Sequence, residues 1–241
     1  MQLFVRSAGV SVSQDYTWVN EAGSKVDIDS NILSCNVSEV KFVWKSTDNG
    51  ILIFGNSFID RNRRDLSNRP LRNYILLTGN REEAEQMLTC FANMLLDQDG
   101  FESMLSSSVQ NTNDKSEVGF SVDSHAILAF LNACSMSFEA RQVRWYLCEK
   151  DSLDARVELL SEICGVLQKK RKFTALIGGA LSGERLKELM PSRAVLSNVN
   201  EKTYYKPSDM GGNMETNIKV TVGAAAVILF FLLFVSRRKK S

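Results

Sequence analysis

Histidine is almost absent from this chain, and its scarcity excludes many familiar catalytic sites. His125 is the only histidine among 241 residues, so a Ser-His-Asp or Cys-His site, and most zinc sites, would have to use it. The apolar residues that follow it indicate the start of a helix, which favours a structural role. The sequence also lacks GxSxG, HExxH and Walker A patterns. No cofactor is therefore predicted.

A single uncharged apolar run lies near the C-terminus. Residues 220–235 read VTVGAAAVILFFLLFV, and a helix of this length spans about 24 Å, slightly less than the roughly 30 Å hydrocarbon core of a membrane. Flanking basic residues can reach the lipid head groups and close that gap. Because the run is apolar on all sides, a membrane span is favoured over a buried helix.

We therefore predict a transmembrane anchor with a basic tail at 218–241. The apolar anchor residues are Val220, Leu229, Phe230, Phe231, Leu232, Leu233, Phe234 and Val235. The flanking basic residues are Lys219, Arg237, Arg238, Lys239 and Lys240.

Two rules give opposite orientations for this anchor. The positive-inside rule would hold the basic C-terminus in the cytoplasm, whereas a tail-anchored arrangement keeps the preceding chain, hereafter the head, in the cytosol. The N-terminus lacks a signal peptide, and no two of the five cysteines form a CxxC pair. Cys90, Cys134 and Cys164 sit among apolar helical residues, which predicts buried, reduced thiols. We predict a single-pass membrane protein with a cytosolic head.

Hydrophobic periodicity predicts an α/β (or α+β) head with a β-rich N-terminal part, followed by helices. Strands are predicted at 2–6, 40–44, 51–54, 74–77, 117–122, 143–148 and 173–177. Helices are predicted at 81–98 (with Asn80 as N-cap), 101–105, 124–134 (with Ser124 as N-cap), 152–169 and 183–190. The Asp-Asn-Gly turn at 48–50 predicts a hairpin between the second and third strands. The succession 143–148, 152–169 and 173–177 predicts a βαβ unit with two parallel strands.

The predicted domain organisation has three parts. The head covers 1–191, as one domain or as subdomains 1–80 and 81–191, and residues 106–115 form an exposed loop within it. Residues 192–217 are polar and lack periodicity, which predicts a flexible tether. Without the five basic residues of the C-terminal segment, the chain carries 24 basic and 28 acidic residues. General nucleic-acid binding is therefore not expected.

An arginine-rich run is the strongest candidate for binding. Residues 60–73 read DRNRRDLSNRPLRN, without lysine. Arginine presents a planar fork that binds phosphates and carboxylates and stacks on bases. The run lies between predicted strands, so we expect an exposed loop. The candidate ligand-binding residues are Arg61, Arg63, Arg64, Arg69 and Arg72.

Three interpretations of this run are open. The first is a solvated loop with internal Arg–Asp pairs, or a contact for a partner protein. The second is a phosphate or nucleotide site. The third is contact with anionic lipid, because each basic group near a membrane surface gains about 1 kcal/mol.

A glycine-rich segment at 178–183, GGALSG, follows a predicted strand and precedes a predicted helix. Helix N-terminal N–H groups attract anions, so this is a suitable position for a phosphate loop. The segment lacks the lysine of a P-loop, however. A tight turn that requires glycine dihedral angles is the favoured interpretation.

Part of the arginine-rich run resembles a known type of segment. Arg63–Asn73, RRDLSNRPLRN, is similar to an R-x-D-x-x-G-R-P-I-R-type segment in proteins of bacterial conflict and defence operons. The resemblance covers 11 residues and departs from the pattern at Asn68, in place of glycine, and at Leu71, in place of isoleucine. It implies a small accessory or sensor protein rather than an enzyme.

Three functions are consistent with the sequence. The first is a membrane-tethered, non-enzymatic adaptor or sensor whose head binds a partner protein, a second copy or an anionic ligand. The second is a membrane-anchored enzyme acting on nucleotides or phosphoesters, with Asp60 or Asp65 as acid–base or metal ligand. The third is a membrane-disrupting effector, in which the small residues at 223–226 bring spans together when heads oligomerise.

Overall fold

A ten-stranded mixed sheet runs through the part of the chain that this computed structural model describes, namely residues 1–11, 13–112, 118–133, 137–142, 147–200 and 202–204. The strands are β1 (Gln2–Ser7), β2 (Thr17–Asn20), β3 (Lys25–Val26), β4 (Val40–Thr47), β5 (Gly50–Arg64), β6 (Pro70–Gly79), β7 (Val109–Asn111), β8 (Phe120–Val122), β9 (Leu147–Lys150), β10 (Phe173–Gly179), β11 (Arg193–Leu196) and β12 (Thr203–Tyr204). The helices are α1 (Ser30–Leu33), α2 (Ala84–Leu96), α3 (Gln98–Ser108), α4 (Ser124–Leu131), α5 (Leu153–Gln168) and α6 (Gly183–Leu189). The predicted mixed α/β class is confirmed.

The strand order is β12-β9-β11-β10-β4-β5-β6-β1-β2-β3, and β7 and β8 form a separate two-stranded sheet. Strands β9, β11 and β10 are parallel, whereas β10 pairs antiparallel with β4 and joins them to the β-rich N-terminal part. One sheet therefore crosses the boundary considered at residue 80. Residues Met1–Tyr205 form one compact unit.

Alternating side chains of β4 explain why the core lies on one face of the sheet. Phe42 and Trp44 are fully buried, and they pack in one hydrophobic cluster with residues of α2, α3, α4 and α5. The predicted hairpin at the Asp-Asn-Gly turn is confirmed, since β4 and β5 pair antiparallel from Thr47↔Gly50 to Phe42↔Gly55.

The arginine-rich run was predicted to be an exposed loop. The structure shows instead that it forms the distal half of the β5–β6 hairpin. β5 continues to Arg64, β6 begins at Pro70, and only the turn between them is irregular. The register of the pair shifts twice, between Gly55 and Phe58 and between Ile59 and Arg64. Polar residues occupy inward positions along this stretch, so the strand continues without the hydrophobic alternation that would reveal it.

The predicted βαβ unit is confirmed, with one strand inserted. β9, α5 and β10 follow one another in the chain, and Ser152 caps α5 as its Oγ accepts a hydrogen bond from the Ala155 N–H. β11 lies between the two predicted strands and reaches its place through α6. The first part of the predicted tether is thus wrong, because Arg193–Leu196 are buried in the sheet and β12 pairs with β9. A four-residue strand covered on both faces has no periodicity to detect.

Smaller boundaries also differ from the predictions. α2 begins at Ala84, after a turn in which Asn80 Oδ1 accepts hydrogen bonds from two backbone N–H groups. Asp123, not Ser124, caps α4. The predicted loop at 106–115 is instead the end of α3 followed by β7, as far as residue 112.

Several predictions fall on residues outside the described part. These are the anchor with its flanking basic residues, most of the tether, Cys134 and the strand residues 143–146. Among the helices of the described residues, none combines the length and apolar character needed to cross a membrane.

Candidate binding surface on the β5–β6 hairpin

Asp65 organises the turn of the hairpin. Its Oδ1 accepts hydrogen bonds from the backbone N–H groups of Ser67 and Arg69, both at 2.9 Å, and its Oδ2 accepts one from Arg69 Nε at 2.8 Å. These contacts hold the pKa of the Asp65 carboxyl below its usual range, the backbone hydrogen bond from Arg69 being the main cause. Asn68 has φ of 59°, in the left-handed region that glycine and asparagine tolerate best.

The side chain of Arg63 is buried on the inner side of the hairpin. It is therefore not available to a ligand, contrary to the prediction. Only 3% of the residue is exposed. Its guanidinium donates to Ser7 Oγ at 2.9 Å, to Asn111 Oδ1 at 2.8 Å and to the Ala8 carbonyl. Burial lowers the pKa of Arg63, and the Asp60 carboxylate opposes that shift. Arg63 thus fastens the hairpin to β1 and β7.

Asp60 completes this buried network. Its Oδ1 accepts hydrogen bonds from the backbone N–H groups of Asn62 and Arg63, at 2.9 and 3.0 Å. Its Oδ2 accepts one from Asn73 Nδ2 at 3.0 Å and lies 3.5 Å from Arg63 Nη1. Asn73 Oδ1 in turn accepts from Ser7 Oγ at 2.7 Å. The network accounts for the polar residues at inward positions, because buried polar groups must be hydrogen-bonded.

The other four predicted arginines are exposed along the hairpin. Arg61 and Arg64 are exposed, and their guanidinium groups make no hydrogen bond or close ion pair with another described residue. The charge of Arg61 does act on Glu102, whose pKa it helps to lower. Arg69 is paired with Asp65, but 77% of its side chain is exposed. Arg72 Nη1 donates hydrogen bonds to Ser57 Oγ at 2.5 Å and to the Ser57 carbonyl oxygen at 3.3 Å. The structure therefore separates four accessible arginines from one that is structural.

Two large apolar side chains accompany these arginines. Leu66, in the turn, is 73% exposed, and Ile59, directly opposite Arg72 in the β5–β6 register, is 47% exposed. These two side chains add apolar contact area beside the exposed arginines.

A second arginine site, which sequence reasoning missed, adjoins the hairpin. The Arg6 guanidinium lies 5.6 Å from the Tyr16 ring centroid and 5.5 Å from that of Tyr74, within cation–π range. The Arg72 N–H donates to Tyr16 Oη at 3.0 Å, which links the stack to the hairpin. The sequence gives no direct signal for this contact, because it is the pairing of β1 with β6 that brings Arg6 and Tyr74 together.

The glycine-rich turn after β10 is explained by backbone geometry. Gly178 and Gly179 have φ of 68° and 85°. A Cβ on Gly179 would lie 2.4 Å from the Glu39 carbonyl oxygen. Ser182 caps the following helix, α6, which has seven residues. The interpretation as a tight turn is confirmed.

Other reactive residues do not form a catalytic arrangement in the described part of the chain. His125 is exposed in the first turn of α4. No group of three or more His, Cys, Asp or Glu side chains is placed to hold a metal within those residues. Burial raises the pKa values of Cys90 and Cys148 to about 11, so both remain protonated thiols. Cys164 is only half-buried, which corrects its prediction as a buried thiol.

Two cavities adjoin strands β1 and β6. An open groove of ≈ 820 Å³ extends from Asp29 and Cys35 to Asn80. A smaller cavity of ≈ 270 Å³ has an apolar lining of Phe4, Val26, Ile28, Ile32 and Leu76, with Asp27 and Asp29 also on its wall.

The chain matches no protein-family model, no curated protein and no solved structure.

Proposed function

We propose that this chain is a membrane-tethered, non-enzymatic adaptor or sensor whose head binds an anionic partner through the β5–β6 hairpin. One observation carries the proposal: Arg61 and Arg64 are exposed, with no guanidinium hydrogen bond to another described residue, on a hairpin that Arg63 and Asp65 hold in place. An arginine side chain on a strand that is fixed by hydrogen bonds loses less conformational entropy on binding than one on a mobile loop.

The charge distribution supports an anionic partner. The head is slightly acidic, so the exposed arginines of the hairpin form a local positive region that attracts acidic groups. The 218–241 segment, proposed as the anchor, would keep this surface close to a membrane. We propose a bacterial defence system as the setting of this partner, because residues 63–73 are similar to segments of defence-operon proteins.

The alternative of a phosphoester-processing enzyme assigned acid–base or metal chemistry to Asp60 or Asp65. Both carboxylates accept several hydrogen bonds that hold the hairpin together. We therefore give neither residue a catalytic role.

The test uses the full chain expressed in a bacterial host and solubilised from its membranes. Arg61→Glu/Arg64→Glu reverses the two unpaired charges. Lys169→Glu/Arg171→Glu is the matched control, because these exposed residues lie in the turn before β10, at the opposite end of the sheet from the hairpin. We expect the hairpin variant to lose co-purifying proteins that the wild type and the control retain, as measured by quantitative mass spectrometry.

The anchor is tested by deletion of 218–241, which should release the protein from membranes washed at alkaline pH. Identical co-purifying proteins in the two double variants would refute the binding role. Retention of the truncated chain in washed membranes would refute the anchor.

A further inference from the structure

We infer that the solvent-facing side of β1, β2 and β6 binds an acidic segment of the partner protein, with Arg6 as the centre that receives a carboxylate. This inference rests on the proposed function and names the partner's chemistry. The surface comprises Arg6, Tyr16, Trp18, Tyr74 and Arg72, and we call it the Arg6 surface.

The strand registers place these residues on one continuous face. Tyr74 lies opposite Arg6 in the β6–β1 pair, and Arg6 lies opposite Trp18 in the β1–β2 pair. Arg72 is two positions before Tyr74 on β6 and therefore points to the same side. Leu3, Val5 and Ser7, the alternate residues of β1, are buried on the core side. The Arg6 surface thus continues directly from the hairpin arginines.

Arg6 is held in place but is chemically unsatisfied. The rings of Tyr16 and Tyr74 flank its guanidinium at 5.6 and 5.5 Å, while no described residue offers it a hydrogen-bond acceptor or a carboxylate. A guanidinium has five N–H donors, and its fork matches the two oxygens of a carboxylate. Because the rings already restrict the side chain, binding an acidic group costs little further entropy.

The composition of the Arg6 surface is that of a protein interface centre. Tyrosine, tryptophan and arginine are the residues most enriched where a few side chains dominate binding. Trp18 is half-buried beside Arg6, and the exposed Ile59 lies directly opposite Arg72. These groups offer an apolar contact around a central positive charge.

The smaller cavity adds a requirement for one apolar side chain. Phe4 lines that cavity, and it lies two positions before Arg6, on the same face of β1. The cavity of ≈ 270 Å³ is large enough for one aliphatic side chain. Asp27 and Asp29 lie on its wall, so acidic groups of the partner belong at the Arg6 end. The occupant is a segment with a leucine-like residue next to a run of Asp or Glu.

Single-stranded nucleic acid fits this surface less well. Bases stack on free aromatic faces. Here the Tyr16 and Tyr74 rings meet edge to face, with centroids 5.9 Å apart and planes at 87°, and both rings contact Arg6. The rings therefore orient the guanidinium instead of presenting a stacking platform.

The experiment measures fluorescence anisotropy with the full chain in nanodiscs of uncharged lipid. The probe is a short fluorescein-labelled peptide of Glu and Ser that contains one leucine. A peptide with alanine in place of that leucine, and a labelled oligothymidine, are the comparison probes. The protein variants are Arg6→Gln, Arg6→Lys and, as an exposed-arginine control, Arg171→Gln. Melting temperatures verify that each variant is folded.

We expect Arg6→Gln to weaken peptide binding about tenfold or more, Arg6→Lys to weaken it less, and Arg171→Gln to leave it unchanged. The alanine peptide should bind several-fold more weakly than the leucine peptide. No peptide binding, tighter binding of oligothymidine, or equal affinity of Arg6→Gln and wild type would overturn the inference.

Arg61→Glu/Arg64→Glu separates this inference from the proposed function. If that variant weakens peptide binding while Arg6→Gln does not, the Arg6 surface is refuted and the hairpin retains its role. If Arg6→Gln abolishes binding and the hairpin variant still keeps its full set of co-purifying proteins, the Arg6 surface stands and the hairpin role is refuted.

Discussion

Nη1 of Arg63 donates a hydrogen bond to Oγ of Ser7 over 2.9 Å, joining the β5–β6 hairpin to β1 across 56 positions of sequence. The same guanidinium neutralises Asp60, which is fully buried. The accessible arginines of the hairpin therefore depend on a buried one for their position.

Replacement of Arg63 should destabilise the head far more than replacement of its neighbour. Arg63→Met leaves the Asp60 carboxylate buried without its counter-charge, and breaking such a pair costs about 3–5 kcal/mol. Arg64→Met removes an exposed, unpaired charge and should change the free energy of unfolding by less than about 0.5 kcal/mol. Urea unfolding followed by tryptophan fluorescence measures both. Equal losses would contradict the structural role of Arg63.

Glu102 should contribute to the acid sensitivity of the fold. Lys41 Nζ lies 2.9 Å from Glu102 Oε1, and Gln98 Nε2 donates to the same atom at 2.9 Å. Burial alone would raise the pKa of Glu102, but the hydrogen bonds from Lys41 and Gln98, together with the charges of Lys41 and Arg61, hold it below its ordinary value of 4.5. Because the folded-state pKa is the lower one, this stabilisation is complete above 4.5 and is lost as pH falls through the folded-state value.

Glu102→Gln should therefore show a shallower loss of stability below pH 4.5 than the wild type. The exposed Glu184→Gln is the control and should follow the wild-type curve. Unfolding free energies measured across the acid range decide the matter, and parallel curves for Glu102→Gln and wild type would count against the ion pair.

The glycine turn after β10 should tolerate alanine at one position and not at another. Gly179 has φ of 85°, and its Cβ would meet the Glu39 carbonyl oxygen at 2.4 Å, so Gly179→Ala should cost about 1–3 kcal/mol. Gly183, in the first turn of α6, has nothing within 4 Å of an added Cβ. Gly183→Ala should stabilise the protein by up to about 1 kcal/mol. Melting temperatures that fall equally in both variants would refute this distinction.

The described cysteines should differ in reactivity. A thiol reacts as its thiolate, and Cys90 and Cys148, with pKa values of about 11, are protonated and buried near pH 8. Iodoacetamide should modify the half-buried Cys35 in the folded protein and reach Cys90 and Cys148 only after unfolding. Peptide mass spectrometry reads out each site. Modification of Cys90 as fast as Cys35 in the folded state would show that the core opens readily.

The parts of the fold that the sequence predicted are those in which apolar residues follow a clear period. The β4–β5 hairpin combines a strong turn signal with alternation, and α5 has a serine cap and a continuous apolar face. The distal hairpin was missed because Asp60 and Arg63 occupy inward positions where a strand pattern expects apolar residues. β11 was missed because four residues contain too little pattern.

The sequence predicted only part of the binding surface, because side-chain orientation and strand pairing are not visible in composition. Arginine composition identifies the run but cannot distinguish Arg63 from Arg64, which differ only in the side of the strand that each occupies. The contact of Arg6 with Tyr16 and Tyr74 depends on pairing of strands that are far apart in the chain. No local pattern encodes such a contact.

The position of β12 has a consequence for how strongly the head must bind. β12 pairs with β9, and Lys202 lies 2.9 Å from Glu149 and 3.4 Å from Glu158, so the compact unit extends to residue 205. Only twelve residues, 206–217, then separate it from the proposed anchor. A partner held at the same membrane would meet the head at an effective concentration on the order of millimolar. Individually weak contacts to the arginines would then suffice for a stable complex. The complex would dissociate once the chain left the membrane.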